Sequence, residues 1–164
     1  MNLPTADWAN FFAAEVGASA ALAGLVVVAI SINLSRILGH ARLPGRAAKA
    51  LVTLVGAFVF ASIGLVPNQP VALLGVEALV VGLVTFLVPL VIQSQSLRLD
   101  DGIPIAKKYT RLIMSLATSL PFVVAGTMLI MGSGVGLYWA ATGIILSLTG
   151  GVFNAWVLLV EILR

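Results

Sequence analysis

The chain has 164 residues, 60% of them hydrophobic and 9% charged, with a formal net charge of +3. A soluble domain carries about 25% charged residues, so the composition excludes a soluble globular protein and describes one membrane domain over residues 1–164. Cysteine is absent, which excludes disulfides, thiolate metal sites and a cysteine nucleophile, and the single histidine, His40, excludes a haem held by two histidines of one chain.

Five apolar stretches are predicted as membrane-spanning helices, at about 11–38, 47–66, 71–96, 106–131 and 135–164. Each reaches or exceeds the ~20 residues needed to cross ~30 Å of hydrocarbon. The runs are continuous and rich in Ala and Leu, whereas barrel strands alternate over about ten residues. The fold class expected is therefore an all-α polytopic bundle.

The first stretch follows Met1 to Trp8, a segment with no basic residue, and is longer than a secretory signal. It reads as a retained helix. Glu15 and Asn33, eighteen residues apart, share one angle at 100° per residue, and Ser19, Leu22, Val26 and Ala29 lie close to that line. The opposite face holds Ala13, Gly17, Ala20, Ala21, Gly24, Ser31 and Ser35. Small residues let helix backbones approach closely in lipid, so that face is expected to pack. The polar line is then expected either to pack, as in an ordinary central helix, or to border an ion path that includes Ser19, with Glu15 and Glu77 at its mouth, Leu22 and Val26 as an apolar constriction, and Asn33 and Gln95 at its exit.

A basic gap follows, with Arg36, Arg42, Arg46 and Lys49. The second stretch ends at the polar turn Pro67-Asn68-Gln69-Pro70. On the third, Glu77 and Gln95 again share an angle, with Gly75 and Gly82 roughly opposite and Pro89 interrupting the helix. An acidic residue at a helix centre costs ~2.5–3.5 kcal/mol on insertion scales, so Glu15 and Glu77 are expected to face protein, water or an ion. The second basic gap carries Arg98, Lys107, Lys108 and Arg111 beside Asp100 and Asp101. Pro121 interrupts the fourth stretch. Gly132 to Gly136 is a tight connection, without the Lys-Ser/Thr ending of a phosphate loop. On the fifth stretch, Asn154 is expected to take an interhelical hydrogen bond from Asn33 or Gln95, and Glu161 to pair with Arg164 or a basic loop.

All nine Lys and Arg residues fall in the two basic gaps or at the C-terminus. Positive charge collects in short cytoplasmic loops, so the N-terminus is expected outside and the C-terminus inside. Trp8, Phe11, Phe12, Tyr138 and Trp139 are expected as bilayer anchors at the outer interface, with Tyr109 and Trp156 at the inner one. The basic residues flank helices and form no stripe interleaved with aromatics, so no nucleic-acid partner is expected. No constellation of catalytic residues suits an enzyme, and no cofactor or metal set is read from the chain.

The run Phe11-Phe12 through Glu15, Gly17, Ala21, Gly24-Leu25-Val26, Ser31 and Asn33-Leu34 resembles a class of small bacterial integral membrane proteins, as do Val66-Pro67-Asn68-Gln69 and Asn154 to Glu161. The resemblance covers most of the chain and implies a multi-pass protein of a bacterial inner membrane, without a mechanism. The first helix is also similar to the pore helix of Orai calcium channels in its glutamate, apolar stretch and basic end. Those channels have four helices, and their pore helix runs the other way. A five-helix chain of this size encloses no water-filled path alone, so the expected function is a homo-oligomeric cation channel or transporter. The alternative is a non-conducting structural or accessory subunit bound to another membrane protein. A third reading is a binder of lipid or of a small apolar ligand between its helices.

Overall fold

The computed structural model describes the backbone of residues 5–40, 43–98 and 105–162, and the side chains of 8–40, 43–92, 94 and 113–161. It is all helical over these residues, with α1 at Thr5–Ile32, α2 at Leu34–Leu38, α3 at Leu43–Gly64, α4 at Val71–Arg98, α5 at Ile105–Ile130 and α6 at Val135–Ile162. Five of them are long and apolar enough to cross a membrane, and the protein is a polytopic membrane protein of class all-α.

The expected first helix over 11–38 is two elements. Asn33 donates its side-chain amide to the Ala29 carbonyl at 2.9 Å, while its backbone N–H turns to Ile30 at 3.2 Å. The side chain thus takes the acceptor that a continuing helix would have used, and α1 stops at Ile32. The short α2 follows, anchored by buried Ile37 against Leu43, Ala47 and Leu158. The second helix starts four residues earlier than expected, at Leu43, because Pro44 sits in its first turn, where a missing N–H costs nothing. Gly132, at φ +77°, ends α5. Ser133 N–H reaches Met128 and Gly132 N–H reaches Leu129, both at 2.9 Å, a paired closure that satisfies the last carbonyls.

Helices α3 to α6 form a closed ring in chain order, with α6 returning to α3. Helix α1 lies outside this ring, along α3, and touches α6 only lightly. Lipid is as apolar as leucine, so helices in a membrane associate by close packing rather than by escape from water. The tightest packing lies inside the ring. A Cβ at Gly75 would stand 2.8 Å from the Gly126 carbonyl oxygen, and one at Gly126 would stand 2.6 Å from the Gly75 carbonyl oxygen. Between α5 and α6, a Cβ at Gly136 would stand 2.8 Å from the Ala125 carbonyl oxygen.

Helix α1 is joined to the ring by rings of another kind. Phe12 meets Phe60 at 6.3 Å, and Phe60 meets Phe122 at 5.3 Å, both edge to face. All three are fully buried. Trp8 stands edge to face with Tyr138 of α6 at 4.9 Å. The expected bilayer anchors Trp8 and Phe12 are therefore packed within the protein, because α1 reaches the ring at this end and aromatic pairs hold it there. Trp156, at the other end, is exposed.

Gly126→Ala should cost about 1–3 kcal/mol of folding stability through overpacking, because a backbone carbonyl has nowhere to move. Gly17→Ala, where a Cβ meets nothing within 4 Å, should stay within about 0.5 kcal/mol. Reversible unfolding in mixed micelles measures both.

Candidate functional site

The polar line of α1 turns toward the bundle, against α3 and along the cleft beside α6. Ser19 is fully buried, and Val26, 8% exposed, packs against Ala50 and Leu54 of α3. Leu22 is half-buried beside them. The expected constriction residues are thus packed within one chain. The face expected to pack, with Ala13, Gly17, Ala20, Ala21 and Gly24, is exposed. The physical reason is shape. Phe12, Leu22 and Val26 fill the broad groove beside α3, whereas small residues make a flat strip that leaves lipid or a neighbour in contact with the backbone.

Glu15 lies on the packed side, one turn from Phe12. Its Oε2 is buried and has no hydrogen-bond partner among the described residues. Below it, Ser19 Oγ donates to the Glu15 carbonyl at 2.5 Å and lies 3.2 Å from the Val16 carbonyl, so the serine is occupied by its own helix. An unpaired carboxylate oxygen inside an apolar helix pair is costly. It can be relieved by a proton or a cation.

The structure does not bring Glu77 to Glu15. Glu77 is on α4, which flanks α3 away from α1. Its Oε2 accepts from Gln69 Nε2, so it ties the turn before α4 to the helix. Asn68, at φ 56°, makes that turn possible.

Among the described residues, Asn33 and Asn154 bond only within their own helices. Asn154 Nδ2 donates to Gly150 O at 2.7 Å, four residues back, as Asn33 does to Ala29. A local carbonyl is always in reach, so no cross-helix partner is needed. The side chain of Gln95 lies outside the described residues, as do those of Tyr109 and Lys107. Glu161 pairs with Arg46 at 2.5 Å, joining α6 to α3.

Two further buried polar atoms lack partners, and only Ser147, on the face of α6 that carries Asn154, is marked by periodicity. Ser115 on α5 and Ser147 on α6 are fully or almost fully buried, with Oγ atoms that have no hydrogen-bond partner among the described residues. Thr53, Thr85 and Ser119 are also buried near the middle of the ring, but each donates to a carbonyl of its own helix. Nothing in sequence separates Ser115 from the other hydroxyls of α5. Among the described residues no three His, Cys, Asp or Glu side chains cluster.

Glu15→Met should leave folding stability unchanged or raise it, since an apolar side chain of similar shape removes the unpaired oxygen. Thermal unfolding in detergent, followed by circular dichroism, reads the change.

Comparison with known protein families, with curated proteins and with solved structures finds no match to this chain.

Proposed function

We propose that the protein is a cation or proton transporter whose binding site is the Glu15 carboxylate, with α1 as the element that moves. The observation that carries this reading is the buried, unpartnered Oε2 of Glu15 within a membrane-spanning helix. An ionisable residue at such a position needs a proton or cation to be tolerated. The manner of attachment supports a carrier over an open pore. Only 11% of the apolar window of α1 is buried inside the protein, against 39% for α3 and 44% for α5. A helix held on one side can tilt against a ring of four and expose its carboxylate by turns. Ser19 and Val26, packed against α3, would seal the path below Glu15.

The orientation that suits this reading places the Trp8 end outside and Arg36, Arg46 and Lys49 at the cytoplasmic face, following the bias of basic residues toward the cytoplasm. A bacterial inner membrane rests on the resemblance of the first helix. Homo-oligomerisation would give α1 a fixed neighbour on its exposed small-residue face.

That exposed face also favours a second reading, a non-conducting subunit that assembles through α1. A Cβ at Gly17 or Gly24 would meet no atom within 4 Å, and helices with such strips approach one another closely in lipid.

Flux of Na⁺, K⁺, Ca²⁺ and H⁺ into sealed liposomes separates the two. Transport should be measurable for one of these ions and should fall at least tenfold in Glu15→Gln, while Glu77→Gln retains it. Absence of flux for every ion, in folded protein, overturns the transport reading. The assembly reading then requires that Gly17→Leu or Gly24→Leu abolish cross-linking between copies or to a partner.

A further inference from the structure

We infer that the cleft between α1 and α6 is a lipid site, taking one acyl chain of an anionic phospholipid whose phosphate sits at Arg36. This inference is independent of the transport reading. Because α1 follows α3 and only grazes α6, the two helices leave a cavity of about 270 Å³. Its walls are Leu22, Val26 and Ala29 on one side and Val152, Trp156 and Leu159 on the other. From Leu22 to Ala29 is about 10 Å along the helix, so the cleft runs with the bilayer normal, as an acyl chain does. Its wall is apolar and lies within the membrane-spanning part of both helices. Water has no partner there, and hydrocarbon is the solvent at hand.

The basic end of the cleft supplies the headgroup contact. Leu158 belongs both to the cleft wall and to the cluster of Ile37, Leu43 and Ala47 under α2. The short helix therefore lies directly beyond the cleft. Arg36, beside Ile37, is exposed, and no carboxylate pairs with it among the described residues. Arg46 is by contrast held by Glu161. His40 Nδ1–H, in the tautomer with its proton there, donates to the Arg36 carbonyl at 2.9 Å and closes the end of α2. The guanidinium, with its planar fork of donors, suits a phosphate. The small-residue strip of α1 lies on a different side of that helix from Leu22, Val26 and Ala29, so a neighbour on the strip leaves the cleft free.

The test is native mass spectrometry of the purified protein after exchange into micelles with equal phosphatidylglycerol and phosphatidylcholine. The wild-type chain should retain one phosphatidylglycerol. Ala29→Trp, which fills the cleft, should lose it. Leu25→Trp at the exposed rim is the second cleft variant, used if Ala29→Trp does not fold. Arg36→Gln should keep a bound lipid but lose about fivefold in preference for phosphatidylglycerol. Equal retention by wild type and the cleft variants means lipid bound only at the general surface and overturns the site. So does a wild type with no preference between the two lipids. Cross-linking of Ala29→Cys between two copies would place a second chain in the cleft and would overturn it equally.

Discussion

The contact between α4 and α5 at Gly75 and Gly126 governs how the rest of the molecule is arranged. There the backbones themselves touch, each carbonyl lying less than 3 Å from where the opposite Cβ would stand. In hydrocarbon this is the available route to strong association, because burying one more leucine gains nothing over leaving it in lipid. Once α4 and α5 are locked, the short Gly132 closure folds α6 back beside α5, with Gly136 meeting Ala125. The α3–α4 turn brings α3 along α4, and the ring closes. Helix α1, without such a contact, is left to pack by side chains alone.

Polar side chains follow a second rule of the same solvent. An unsatisfied donor in the bilayer has no water to fall back on, and the nearest acceptor is a carbonyl four residues earlier. Ser19, Ser31, Asn33, Thr53, Ser62, Thr85, Ser119, Thr142, Thr149 and Asn154 all take it. At Asn33 the choice ends a helix. Elsewhere it silences residues that would otherwise read as interhelical connectors. What remains among the described residues after these local bonds is Glu15, Ser115 and Ser147, and of these Glu15 can carry charge.

The five spans were legible because hydropathy over 20 residues depends on composition alone. The glycine turns and Pro44 were nearly as plain, apart from the extra turn gained at Leu43. The facing of α1 was not legible. Periodicity placed Glu15, Ser19, Val26 and Asn33 on one line, but a line has no direction until its neighbour is known. In water, the polar side of an amphipathic helix faces out. In lipid, neither side is barred from packing. Gly17 and Gly24 look in sequence like Gly75 and Gly126, yet the first pair is bare and the second is pressed against backbone. The aromatics misled for a related reason. Phe12 lies near an interface, where anchors are common, but Phe60, itself packed on Phe122, offers it a ring inside the protein.

The two kinds of contact differ in what they permit. Backbone against backbone at a glycine pair admits one register, since a shift of one turn brings Leu79 or Ile130 into the gap. Edge-to-face rings tolerate a range of angles at small cost, so Phe12 against Phe60 can act as a pivot. Away from that pivot α1 rests on Ala50 and Leu54 through Val26 and is parted from α6 by the cleft. An acyl chain there would brace α1 against α6, which it otherwise touches only lightly. The carboxylate thus sits close to the pivot, where a modest tilt changes its surroundings while the ring stays as it is. On the transport reading, the movement that exposes Glu15 belongs to α1, and lipid in the cleft would set how readily it occurs.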